Sequence, residues 1–408
     1  MAVEMLKNNF LACRGKSMMA VVALVLCCFI SACHKEDTVP NAPNTPPEGV
    51  IVIDTVHYDD MGVTAYNFTY PSTDPYGNPV VLSAAIVVGD DIVQSKHARG
   101  LLLYNHFSIF RADECPTRGG ITMEKKMSPS GLITVSADYY GFGVTEQMNQ
   151  AYCKADVNAQ ASIDALVAAK QLMAWKGYSW NDRLFVAGYS QGGQTAMGVV
   201  RRITEHYPDL HITYTFAGAG PYDIATTYSN MVADDIAGQP STVVGVLLSY
   251  NQYCNLGVSR DDMFLEPVLS HIDEWVLSKQ FTRTQIDNLM GGVAVSQFIT
   301  PSLMNLDSDL SRRFLQVFEQ DNLCAGWTPR FDEHIMLFHN TSDVTVPPSN
   351  TENLATFLQQ HGVEPDVCVS DMGSTEGADG HTIGAVFFSI LAINKMAEIL
   401  QIEPWNLF

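Results

Sequence analysis

From about residue 50 onward, two hydrophobic periods take turns along the chain. Val63-Thr-Ala-Tyr-Asn-Phe-Thr-Tyr70 and Val80-Val-Leu-Ser-Ala-Ala-Ile-Val-Val88 are β-rich runs joined by Pro75-Tyr-Gly-Asn-Pro79, a pattern that predicts an antiparallel hairpin. Beyond it, apolar runs of strand length near 100–105, 132–138, 183–188, 212–217, 335–340 and 366–370 are interleaved with stretches of helical period near 155–176, 191–207, 350–361 and 382–401. That alternation predicts an α/β fold class, with a mostly parallel central sheet covered by helices on both faces. Sites in such sheets form at the carboxyl ends of strands. Between Asp223 and about Arg330 the alternation stops, and short helical stretches lie between polar loops. This predicts a helical cap inserted over 223–330, dividing a core of 50–222 and 331–408. Met231, Met263, Phe264, Trp275, Met290 and Phe298 could line an apolar pocket there, although such residues more commonly fill a core.

The first 49 residues follow neither period. Lys7, Arg14 and Lys16 precede the apolar run Met18–Ile30, which ends at His34-Lys-Glu-Asp37 and is too short for a membrane span. Residues 1–32 therefore read as a signal peptide. Ile30-Ser-Ala-Cys33 resembles a bacterial lipoprotein cleavage box, which implies lipidation at Cys33 and durable anchoring to a membrane. Lys35-Glu-Asp37 resembles the surface-export tag of Bacteroidetes-type lipoproteins, implying display on the outer membrane. Residues 33–49 are polar and proline-rich and read as a tether, with a reach on the order of 50 Å at about 3 Å per residue.

Charge narrows the partners further. The formal net charge is −21, and removing Glu4, Lys7, Arg14 and Lys16 with the leader makes it −23, which argues against nucleic acid. No cysteine or histidine spacing has the form of a metal site, and no cofactor motif is present. Of nine cysteines, Cys115, Cys153, Cys254, Cys324 and Cys368 lie beyond the leader and anchor. In an oxidising compartment they predict two disulfides, Cys115 with Cys153 and Cys254 with Cys324. Cys368, inside a strand-like run, reads as a small buried hydrophobe left over from that pairing.

The chemistry is concentrated at Gly188-Tyr-Ser-Gln-Gly192, where the strand-like Arg183–Ala187 runs into a helical stretch. This is the pattern of a nucleophile elbow, which exposes Ser190 on a strained strand-to-helix turn at a positive helix end. Ser190 as an ordinary turn serine is the bland alternative. Downstream, the strand-like Ile335–Asn340 breaks into Thr341-Ser-Asp343 before Pro347 and Pro348, placing a carboxylate at a strand end. Asp366, Asp371 and Asp379 are rivals, and Asp343 could simply cap its own turn. His381 enters an apolar helix from a glycine-flanked loop, in competition with His339 and His361. The chain order Ser190, Asp343, His381 is the order of α/β-hydrolase triads.

Gly188–Gly193, Ser136-Ala-Asp-Tyr-Tyr-Gly-Phe-Gly143 and Ala217-Gly-Ala-Gly-Pro-Tyr-Asp223 resemble the secretory lipase branch of the α/β-hydrolases, and the similarity covers nearly all of the chain beyond residue 50. The resemblance implies Ser190 as nucleophile, His381 as base, Asp343 as the orienting acid and the Gln191 amide as an oxyanion donor. The family takes its second donor from the loop after an early strand, here Leu101–Phe107, where Phe107 replaces the usual glycine after His106. The Phe107 amide is the candidate. The expected function is hydrolysis of carboxylic esters without a cofactor. A serine peptidase of the same fold and a catalytically silent surface-binding lipoprotein are the alternatives.

Overall fold

In the computed structural model, residues 45–375 and 379–405 are described. The leader, Cys33 and most of the expected tether lie outside these residues.

Nine strands form one sheet: β1 (Ile51–Tyr58), β2 (Val63–Thr73), β3 (Pro79–Gly89), β4 (Leu101–Asn105), β5 (Ile133–Ala137), β6 (Leu184–Tyr189), β7 (Tyr214–Gly218), β8 (Ile335–Asn340) and β9 (Asp366–Ser370). Their order is β1-β2-β3-β5-β4-β6-β7-β8-β9. From β5 to β9 every neighbouring pair is parallel, while β1, β2 and β3 add an antiparallel edge. Strands β4 to β8 are buried on both faces, so their sequences are largely continuous apolar runs rather than alternating ones, whereas the edge strand β9 is partly exposed. The hairpin of β2 and β3 closes where expected. Asp74 accepts hydrogen bonds from the Tyr76 and Asn78 amides, and Gly77 supplies the left-handed residue at φ 83°. Strand β1 was not foreseen; it is a largely exposed edge with Ile51 and Ile53 facing solvent, so it carries no apolar alternation.

Among the described residues, eight helices of six residues or more organise the rest beyond β4: α1 (Ala155–Trp175), α2 (Gln191–His206), α3 (Ile224–Asp234), α4 (Pro240–Tyr253), α5 (Arg283–Met290), α6 (Asp309–Phe318), α7 (Ser349–Gln360) and α8 (Gly380–Leu400). Helices α1, α2, α7 and α8 match the four expected from sequence and pack against the sheet. Helices α3 to α6 lie between β7 and β8 and bury an apolar cluster of their own, with Met263, Phe264, Phe298 and Trp275 inside it. Two buried ammonium groups tie this insert to the core. Lys154 pairs with Asp321 at 2.6 Å, and Tyr250 donates to the same carboxylate at 2.8 Å. Lys279 donates to the carbonyls of Gly141, Glu146 and Met148.

The expected disulfides do not form, for Cys115, Cys153, Cys254 and Cys324 are all thiols. Each expected pair is divided between separate packing environments. Cys115 sits with Ile109 and Phe142, whereas Cys153 belongs to the insert's cluster. Cys254 also packs on that cluster with its sulfur 3.7 Å from the Lys154 ammonium, whereas Cys324 packs on the main core. Cys368 is buried on β9, as a small hydrophobe would be.

Candidate active site

Strand β6 delivers Ser190 to the carboxyl edge of the sheet and α2 departs immediately, so the serine must turn the chain within one residue. It does so at φ 59° and ψ −125°, a left-handed conformation that costs a non-glycine residue on the order of 1–3 kcal/mol. The flanking glycines make the turn sterically possible. A Cβ on Gly188 would stand 2.1 Å from the Gly192 carbonyl oxygen, and one on Gly192 would stand 2.1 Å from that of Asn105. The Ser190 amide donates to the Gly218 carbonyl at 2.8 Å and the Gln194 amide donates to the Ser190 carbonyl at 3.0 Å, which locks the strained residue from both sides.

The turn after β8 brings Asp343 to the same edge. One carboxylate oxygen accepts the amides of Thr345 and Val346 at 2.8 and 2.9 Å, and the other lies 2.6 Å from His381 Nδ1. His381 Nε2 in turn lies 2.8 Å from Ser190 Oγ. The histidine is held by its surroundings. Asp379 caps α8 by accepting the Thr382 amide, Asn340 donates to the Gly380 carbonyl, and the Tyr189 hydroxyl donates to the carbonyl of His381 itself. Ser190, Asp343 and His381 are all buried.

Burial alone would raise the Asp343 pKa. The charge and hydrogen bonds of two imidazoles outweigh it and hold the carboxyl well below the usual carboxylate range. The second imidazole is His339, whose Nε2 lies 3.2 Å from Asp343 and 2.9 Å from the Val346 carbonyl, with Nδ1 2.7 Å from Thr351 Oγ1. Sequence reasoning set His339 aside as a rival base. The one signal that could have found its place is its spacing, four residues before Asp343 and inside the strand that carries it. The other rivals are engaged elsewhere: Asp371 accepts from Ser342, Asp366 from Tyr214, Asp379 is the cap of α8, and His361 meets the Phe357 carbonyl.

Gln191 follows the serine in the chain, and Phe107 lines a cavity with it; both carry main-chain N–H groups. Those of Gln191, at the start of α2, and of Phe107, in the loop after β4, have no hydrogen-bond partner among the described residues. In the same loop His106 Nδ1 is 2.7 Å from the Phe107 carbonyl and Nε2 is 3.4 Å from the Asp138 carbonyl. Burial lowers the His106 pKa to about 4, so this imidazole is neutral and donates from Nδ1. Among the described residues, no group of three or more metal-binding side chains converges.

Comparisons with known proteins place this arrangement in context. The secretory lipase family profile matches residues 121–382, more than half of the chain, and the chain belongs to that family. No match emerges among curated protein sequences. Solved structures share the α/β-hydrolase fold. A Legionella pneumophila protein superposes with TM-score 0.75 at 20% identity, over 88% of this chain and 99% of its own. The rice cell wall degrading esterase LipA from Xanthomonas oryzae gives 0.67 at 20% identity, over 86% and 95%. Candida antarctica lipase A in its closed state gives 0.63 at 14% identity, over 90% and 86%.

Proposed function

We propose that this protein is a serine esterase that cleaves carboxylic esters through an acyl-enzyme intermediate. The observation that carries the reading is the continuous hydrogen-bonded line from Ser190 Oγ through His381 to Asp343. In this reading His381 Nε2 takes the hydroxyl proton as Ser190 Oγ bonds to the ester carbonyl carbon. The carbonyl electron pair moves onto oxygen, which the free N–H groups of Gln191 and Phe107 stabilise. Asp343, kept anionic, orients the ring and stabilises the imidazolium. Collapse of the adduct breaks the bond to the alcohol oxygen, which leaves with the proton from His381. Water then repeats the sequence on the acyl-enzyme and releases the acid.

The test compares nitrophenyl esters with aminoacyl-nitroanilides and labels the folded protein with a fluorophosphonate. We expect labelling and ester turnover that both vanish in Ser190→Ala. Faster anilide cleavage would favour a peptidase, and silence of the folded protein towards the probe would favour a binding role. From residues 30–37 we also infer a lipid anchor at Cys33 and display on an outer membrane. Cys33→Ala should move the protein from the membrane to the soluble fraction; unchanged sedimentation would remove this part of the proposal.

A further inference from the structure

Two cavities meet at Ser190, and they differ in size and in the groups they touch. The smaller, about 50 Å³, lies under the helical insert and is walled by Met231, Val243 and Val246. The larger, about 230 Å³, runs from Phe107 and His381 along α8 past Ala385, Phe388 and Met396. Ser190 lines both, whereas His381 lines the larger of the two.

Resting on the esterase reading, we propose that the small cavity holds the acyl group and the α8 channel holds the alcohol, so that the preferred substrates are short-chain acyl esters of bulky, apolar alcohols. The assignment follows from the path of the proton. When the tetrahedral adduct collapses, the alcohol oxygen breaks from the carbonyl carbon and takes the proton carried by His381 Nε2, so the alcohol half has to begin on the side of His381. The acyl half stays bonded to Ser190 Oγ while a water replaces the alcohol, gives its proton to His381 and bonds to the same carbon. The acyl group must therefore occupy the cavity that leaves His381 clear.

Size sets the substrate class. A water-sized group needs about 10–15 Å³ of such volume, so the small cavity takes roughly three to five carbon-sized groups and the channel on the order of fifteen to twenty. The small cavity does not yield easily, because Met231 and Val243 belong to the insert's own packed cluster. Helix α8 points the same way. It is apolar and long enough to cross a membrane by composition and length, yet one face covers β8 with Phe388, Ala392 and Met396 in the core. Its apolar character extends to the partly exposed Ala385, which lines the channel.

The experiment varies the two halves independently: acetyl, butyryl, octanoyl and lauroyl groups, each on ethanol and on 2-naphthylmethanol, whose leaving oxygens differ little in acidity. Rates are normalised to fluorophosphonate-titrated sites, so misfolded material is not counted. We expect kcat/KM to be highest for acetyl or butyryl naphthylmethyl esters and to fall about tenfold or more by octanoyl. Val246→Ala should raise the octanoyl-to-acetyl ratio about tenfold, and Ala385→Phe should lower the naphthylmethyl-to-ethyl ratio by a similar factor. A preference for octanoyl or lauroyl, an acyl profile without slope, or shortening of the acyl range by Ala385→Phe would overturn the assignment while leaving the esterase reading intact. Absence of both labelling and turnover would instead remove the esterase reading, and this assignment with it.

Discussion

Asp343 and Glu124 are both buried carboxyl groups, one in the turn after β8 and the other in the short helix at residues 122–126 before β5, and their pKa values are shifted in opposite directions. Asp343 has both oxygens engaged, by two amides and two imidazoles, and its pKa is pushed down. Glu124 Oε1 has no hydrogen-bond partner among the described residues, and burial raises its pKa to about 7. Asp138 is a third buried carboxyl group. It accepts from Ser83 Oγ and from both the amide and hydroxyl of Thr117, yet burial still raises its pKa. Around Asp138 neutral donors offset desolvation without overcoming it, whereas around Asp343 the imidazoles outweigh it. The site is thus marked by what surrounds its buried charge, not by burial itself.

The contrast can be broken at each of its members. Asp343→Asn should lower kcat for ester hydrolysis by about 10⁴-fold while the protein stays folded, because the ring loses its orienting anion; a loss under tenfold would mean that the carboxylate does not act through His381. Asp138→Ala should destabilise the protein by roughly 3 kcal/mol, since the buried Ser83 hydroxyl and the partly buried Thr117 donors lose their acceptor. Denaturant unfolding measures this, and a change below 1 kcal/mol would show that those groups find other partners.

Glu124 carries a prediction of opposite sign. Its folded pKa, about 7, lies above an unfolded value near 4.3, so the native state keeps the proton longer. Its contribution is present below the unfolded pKa and is lost as the pH rises towards 7, by on the order of 3 kcal/mol in total. Glu124→Gln should remove that slope, making the variant more stable than the parent at pH 8 but not at pH 4. Parallel stability curves for the two proteins would contradict the assignment. The smallest effect is expected at His339, a positioning residue that reaches the reaction only through Asp343. His339→Phe should reduce kcat about tenfold with KM nearly constant, and a change confined to KM would place its role in substrate binding instead.

Much of this arrangement is legible in the residues themselves. Gly188 and Gly192 flank Ser190 because any side chain there would collide with backbone, and that restriction shows in five consecutive letters. The strands β4 to β8 are short apolar runs because both their faces are covered, and Asp343 and His381 stand where such a strand ends or a helix begins. Strand β1 was hidden because an exposed edge leaves no apolar alternation to read.

Local sterics and periodicity are written into neighbouring residues, so the sequence by itself determined the elbow, the strands from β2 onward, the four helices packed on the sheet and the order of the three side chains. Convergence depends on sheet order, which sets residues far apart in the chain side by side, and only the tertiary structure decided it. The same holds for the reduced state of four cysteines and the two unequal cavities at Ser190. Each of these is a relation between packed surfaces, and no window of sequence contains both sides of such a relation.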